Sequence, residues 1–279
     1  MKYGTLVRIP EGSDIADVCC KKFGELKECG FDSCQLVYKP KAYKETDADL
    51  IRSAADEFGI EISAQFCGYY DYNSLWDVRH DRRLSGINSL LFGGERIKYV
   101  SSAIPFMQRL GITDMIIHAG FVPDDPYAPE YATMLAAVVL LGKKLKSKGM
   151  NLLFETGCET PVTLLRLIKE SGLDNLYINL DTANLLLYGT GNPVDAVYTF
   201  GQYVRNMHAK DGLPPTDPEK LGQETPIGSG FVDFDKVFKL LKEKGYDRFI
   251  TVECELGGSK TENIVKAMGY LKTKWESLT

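Results

Sequence analysis

Residues 150–181 read MNLLFETGCETPVTLLRLIKESGLDNLYINLD. Two short apolar runs, Asn151–Glu155 and Tyr177–Leu180, flank a stretch, Pro161–Glu170, whose apolar residues recur at helical spacing. Gly172 follows the last periodic residue, where a helix commonly ends. The pattern predicts strand, helix, strand. The first run closes on Glu155 and the second is followed at once by Asp181, so each strand presents a carboxylate where the chain turns.

The same alternation extends in both directions. Strands are predicted at Lys2–Ile9, Ser33–Tyr38, Glu61–Phe66, Asp114–Ala119, Asn151–Glu155, Tyr177–Leu180, Val204–His208 and Phe249–Cys254. Helical periodicity falls between and after them, at Asp14–Cys29, Ala48–Phe58, Glu95–Leu110, Glu130–Ser147, Pro161–Glu170, Pro193–Gln202, Phe234–Lys244 and Thr261–Glu276. Gly30, Gly59, Gly111, Gly149 and Gly245 mark further helix ends. Eight strands alternating with eight helices in one 279-residue chain predict an α/β fold, a (β/α)8 TIM barrel in a single domain over residues 1–279. An open doubly wound sheet is the alternative. It lacks its glycine-rich first turn here, where VRIPEGSD stands at 7–14.

Two further runs behave like the opening pair. VRNMHAKDG (204–212) and FITVECEL (249–256) place His208 and Glu253 near the ends of strands seven and eight. An open sheet would spread four consecutive strand ends over roughly 15 Å, at ~4.8 Å per strand. A barrel curls them toward one axis, at the rim where active sites of this fold lie. Three carboxylates and an imidazole brought together form a divalent cation site, because crowded carboxylates stay ionised only when a cation offsets their repulsion. Hard oxygen donors plus one imidazole suit Mn, Mg or Co, and admit Zn. Period-two alternation puts Glu255 on the face of Glu253.

Composition narrows the partners. With 44% hydrophobic and 25% charged residues the chain reads as globular, and a net charge of −5 gives no attraction to nucleic acid or anionic membranes. The longest apolar stretch, Met134–Leu141, is far short of the roughly 20 residues that cross a bilayer. Seven cysteines, none in a Cys-x-x-Cys pair, and no secretion-type leader predict a reduced, cytoplasmic protein. Two long connections are expected over the site as lid, pocket wall or subunit contact. One is Cys67–Gly94, with Tyr69, Tyr70, Tyr72, Trp76, Arg79, His80, Arg82 and Arg83, and the other is Gly212–Gly230.

On LLFETG, NLDTAN, MHAKD, IIHAG and PIGSGFVDFDKVFKLLKEKGYDRFITVE, the chain resembles the xylose-isomerase-like barrel superfamily, especially its ketose 3-epimerase branch. The resemblance covers nearly the whole chain and implies an isomerase or epimerase of a sugar or sugar phosphate, working through a metal-stabilised enediolate. It implies Glu155, Asp181, His208 and Glu253 as ligands of one divalent metal ion, with Glu155 and Glu253 as the acid–base pair. Expected substrate contacts are His118, Asn184, Lys210, Arg8 and Glu255. Asn184 departs from the pattern, since many relatives carry a substrate-contacting histidine there, and an amide cannot become a cation or a good base. A dehydratase of a cyclic polyol or keto acid on the same site is the alternative, as is a non-catalytic sugar-binding barrel. The superfamily's histidine-rich multi-zinc nuclease site cannot be built from three histidines. Barrels of this family are often oligomeric, so a homo-oligomer is among the expected states.

Overall fold

The computed structural model describes residues 1–68, 81, 84–89, 91–256 and 260–278. Most of the expected aromatic and basic connection, including Tyr69, Tyr70, Tyr72, Trp76, Arg79, His80, Arg82 and Arg83, lies outside the described residues.

The strands are β1 (Lys2–Val7), β2 (Ser33–Val37), β3 (Glu61–Cys67), β4 (Asp114–Ile117), β5 (Asn151–Glu155), β6 (Leu176–Asp181), β7 (Val204–Ala209), β8 (Asp211–Leu213), β9 (Gln223–Thr225) and β10 (Phe249–Val252). All but β8 and β9 form one closed ring in the order β1-β10-β7-β6-β5-β4-β3-β2, and every pairing in it is parallel. The joint between β10 and β7 has two register pairs, Thr251 with His208 and Val252 with Ala209, fewer than any other joint of the ring. Outside the ring β8 and β9 make an antiparallel hairpin in the expected long connection after β7.

Helices α1 (Ile15–Glu28), α2 (Ala48–Phe58), α3 (Gly93–Leu110), α4 (Pro129–Lys146), α5 (Pro161–Glu170), α6 (Asn184–Tyr188), α7 (Pro193–Phe200), α8 (Phe234–Glu243) and α9 (Lys260–Ser277) complete the fold. Their ends follow from side-chain chemistry. Thr160, Asn192 and Asp233 each accept the backbone N–H of the third residue on, and Pro161 and Pro193 occupy the first turn, where no N–H is needed. The short α6 and the β8–β9 hairpin were not expected.

Alternation along each strand divides two cores. Phe154 on β5 joins the large cluster between ring and helices, with Phe23, Tyr99, Phe200 and Phe238. Leu153 belongs with Val37, Ala64, Phe66 and Ile116 to a second cluster carried by β2, β3, β4 and β5. On β6, β7 and β10 the equivalent buried positions are polar: Asn179, Asn206 and Thr251. The lumen therefore has an apolar side and a polar side; Asp181, His208 and Glu253 rise from the polar one, and Glu155 from β5 at its border.

Beyond β3 and β4 two connections cross. The Ile87 N–H donates to the Ala119 carbonyl at 2.9 Å, and a Cβ on Gly86 would lie 1.8 Å from that oxygen. Gly86 and Gly120 both take positive φ, 77° and 94°, so the crossing demands glycine and fixes the backbone beside His118. No helix among the described residues is long and apolar enough to cross a membrane.

Candidate metal centre

Glu155 ends β5, Asp181 ends β6, His208 lies on β7, and Glu253 follows β10, where its N–H donates to the Ala209 carbonyl at 3.1 Å. All four are buried, and one ligand atom from each lies within 4.8 Å of the others. Nδ1 of His208 is 2.8 Å from Glu155 Oε1 and 3.0 Å from Glu253 Oε2.

The surroundings orient these atoms. Gln35 on β2 donates its amide N–H to Thr251 Oγ1 at 3.3 Å, so its carbonyl oxygen faces His208 Nε2, 2.6 Å away, and accepts that N–H. In the neutral tautomer that this contact favours, the Nδ1 lone pair is left for a cation. Asp181 Oδ1 accepts the N–H groups of Ala183 and Asn184, at 2.9 and 2.7 Å. That occupies one of its oxygens only. Asp181 Oδ2, Glu155 Oε2 and Glu253 Oε2 are buried without a hydrogen bond of good geometry.

Electrostatics favours a cation among these oxygens. Burial pushes Asp181 up to about 7, with Glu253 and Glu155 adding to it and Lys210 opposing. Burial pulls the His208 imidazole down, but Glu155 and Glu253 outweigh it and raise it to about 10. Burial alone would raise Glu253; Lys210 and His208 instead hold it well below the usual carboxylate range. The protein's own protons are drawn to the place that a divalent ion fits, and the donor set of three carboxylates and one imidazole can hold one.

Above the cluster is a cavity of about 270 Å³. Just under the ~300–1,000 Å³ usual for ligand sites, it suits a small molecule. His118, one residue past β4, lines it with Nε2 3.0 Å from Glu155 Oε2. Lys210 also lines it, buried, with Nζ 3.2 Å from Glu253 Oε2 and 3.6 Å from Asp181 Oδ2. Asn184 opens α6 and donates its amide to the Thr156 carbonyl at 3.3 Å. Glu255 lines the same cavity as Glu253, as expected, but at its mouth: Glu253 is buried and Glu255 exposed, because β10 ends at Val252. Arg8 lies just past the end of β1, half-buried, and is not among the described residues lining the cavity.

Sequence reading passed over Gln35, Leu187, Tyr188 and Glu224. Gln35 stands inside a strand, with no strand-end signal. The other three lie on α6 and β9, elements too short to show a period. Glu224, half-buried, is raised by burial, although the Glu255 N–H bonded to it and Lys210 both pull it down.

Asp211 holds the hairpin over the cavity. Its Oδ1 accepts the N–H groups of Gly212 and Val232, and its Oδ2 those of Gly228 and Gly230, all within 3.1 Å. Gly222 donates to the Leu187 carbonyl at 2.8 Å, and a Cβ there would meet Leu213 O at 2.1 Å, so only glycine lets the hairpin lie against α6.

A closed parallel barrel with an Asp, two Glu and a His at its C-terminal mouth defines a class of barrels whose mouth can hold a cation. The chain belongs to the xylose isomerase-like TIM barrel family, whose model matches residues 23–274. It is similar to inosose dehydratase from Clostridium beijerinckii, 28% identical over 153 residues, 48% of this chain and 51% of that protein. The chain thus spans about half the length of the curated relatives it matches. A xylose isomerase domain protein from Planctomyces limnophilus superposes with a TM-score of 0.87 at 26% identity, covering 99% of this chain and 97% of the other. A D-tagatose 3-epimerase-like protein shares the fold at TM-score 0.73 and 21% identity, over 100% and 98% of the two chains.

Proposed function

We propose that the chain is a divalent-metal-dependent isomerase or epimerase of a ketose-type sugar, with Glu155, Asp181, His208 and Glu253 as ligands of one Mn, Mg, Co or Zn ion. The observation that carries this reading is the pair of buried glutamates flanking one imidazole nitrogen, at 2.8 and 3.0 Å. Bound among them, a cation supplies a Lewis acid that polarises a substrate carbonyl. The protein supplies the proton transfers. Glu155 and Glu253 come from β5 and the end of β10, three steps apart in an eight-strand ring, and so approach a substrate from different sides. One removes the proton from the carbon beside the carbonyl and the other returns a proton to the opposite face, which inverts that carbon. His118 and Lys210 donate hydrogen bonds to substrate oxygens, Asn184 contacts the substrate beside them, and Arg8 and Glu255 make outer contacts.

The test is solvent deuterium entering a sugar carbon, followed across a ketose panel with Mn²⁺-loaded protein. Glu155→Gln and Glu253→Gln should each cut exchange by ~10²-fold or more while the fold is kept. Full exchange in both variants would sink the assignment.

The curated relatives, named inosose dehydratase, favour a second reading on the same residues. The first proton removal is shared; loss of hydroxide from the next carbon then replaces reprotonation and leaves a double bond. An unsaturated product absorbing in the ultraviolet separates the two. Affinity without exchange or product identifies a non-catalytic sugar binder.

A further inference from the structure

The floor of the cavity is electrically balanced once a divalent cation is present. Glu155, Asp181 and Glu253 carry three negative charges, against the buried Lys210 ammonium and the two charges of the ion. Among the described residues the mouth is not balanced. Glu224 on β9 and Glu255 beyond β10 line the same cavity, and Glu224 Oε1 accepts the Glu255 backbone N–H at 3.0 Å. Their segments are thus tied together, and the contacts of Asp211 and Gly222 keep the hairpin from swinging away. Beneath them, buried oxygens of Glu155 and Glu253 lack a hydrogen bond of good geometry, so the cavity has a ligand-ready floor below an anionic rim.

We infer that Glu224 and Glu255 make this cavity selective for uncharged polyhydroxy substrates and against phosphate- or carboxylate-bearing ones. The inference rests on the reading of the site as a metal-dependent sugar enzyme. A carboxylate accepts hydrogen bonds from sugar hydroxyls, so a free sugar gains contacts at the mouth. A phosphate ester meets two like charges in a cleft whose low-dielectric walls focus their field, which offsets the pull of the cation on phosphate oxygens. The same charges disfavour a keto acid, so a dehydratase acting here takes a cyclic polyol.

The probe is inorganic phosphate, titrated calorimetrically into Mn²⁺-loaded wild type, Glu224→Gln and Glu255→Gln, with a free ketohexose as the uncharged control. Each isosteric variant should tighten phosphate binding by ~5-fold or more, an effect that shrinks as salt rises, while ketohexose binding is not tightened. A phosphate Kd unchanged in both variants, or beyond measurement in all three proteins, overturns the inference. Absence of deuterium exchange into every ketose would remove the proposed function yet leave this phosphate comparison standing, so the two fail separately.

Discussion

Nε2 of His208 lies 2.6 Å from Oε1 of Gln35, a residue on the far side of the lumen that touches none of the three carboxylate ligands through any hydrogen bond described above. The contact decides which imidazole nitrogen keeps its proton. Gln35→Leu removes it and frees the ring to rotate. Metal affinity should fall by ~10–100-fold, the usual cost of losing a group that orients a ligand, with the secondary structure unchanged. Competition against a chromophoric chelator measures it, and an unchanged Kd would show that Gln35 only fills space.

Lys210 is the only cation found among the described lining residues of the cavity, and its ammonium bridges two of the three acids. Removing one partner of a buried pair leaves the other uncompensated, at ~3–5 kcal/mol. Lys210→Met should therefore destabilise the chelator-treated protein by about that much. Added Mn²⁺ should restore more stability to the variant than to wild type, because the ion then meets carboxylates that no ammonium offsets. Denaturant titrations with and without metal test both halves.

Glu159, buried just past β5, is a pH probe for the fold. Burial pushes its carboxyl up to about 8, although the Gly157 N–H, 3.3 Å from Oε1, pulls the other way. A folded pKa above the unfolded one means that its contribution is fully present below about 4.5 and is lost as pH rises through about 8. Stability should fall across that window by up to ~1.4 kcal/mol per pH unit. Glu159→Gln should flatten the decline, making the variant the more stable protein at pH 9 than it is, relative to wild type, at pH 5. An equal loss of stability between pH 5 and pH 9 in variant and wild type, measured by urea denaturation, would refute this.

Asp211→Asn keeps the shape but replaces one accepting oxygen by a donor that faces backbone N–H groups. Two of the four bonds are lost, at ~1–3 kcal/mol for the groups left unsatisfied. Amide exchange should quicken across residues 222–232, and KM for an accepted sugar should rise more than kcat falls. Metal stoichiometry should stay as in wild type, since the ligand strands are untouched. Unaltered exchange in that segment would mean that other contacts hold the hairpin.

The ring was legible because its strands are buried on both faces and its helices on one, and those two periods survive in the residue order. Glu155, Asp181 and His208 stood out as polar ends to apolar runs, and the structure gathers them with Glu253. What stayed hidden has a common cause. Alternation holds only inside a strand, so it could not give the depth of Glu255, exposed three residues after β10 stops. Asn184–Tyr188 and the three-residue strands of the hairpin are shorter than the repeat needed to reveal them, which concealed Glu224. The link between Gln35 and His208 spans 173 positions and depends on ring closure, which no local pattern encodes.

The joint between β7 and β10 gives the ligand set a mechanical side. Glu253 hangs from the strand with the fewest register pairs to its neighbour, while Asp181 and His208 sit on the far side of that joint. An ion held by all four residues is a rivet driven through the thinnest weld of the hoop. Its residence time would then keep count of how often the hoop parts, making slow metal loss a clock for breathing of the barrel itself.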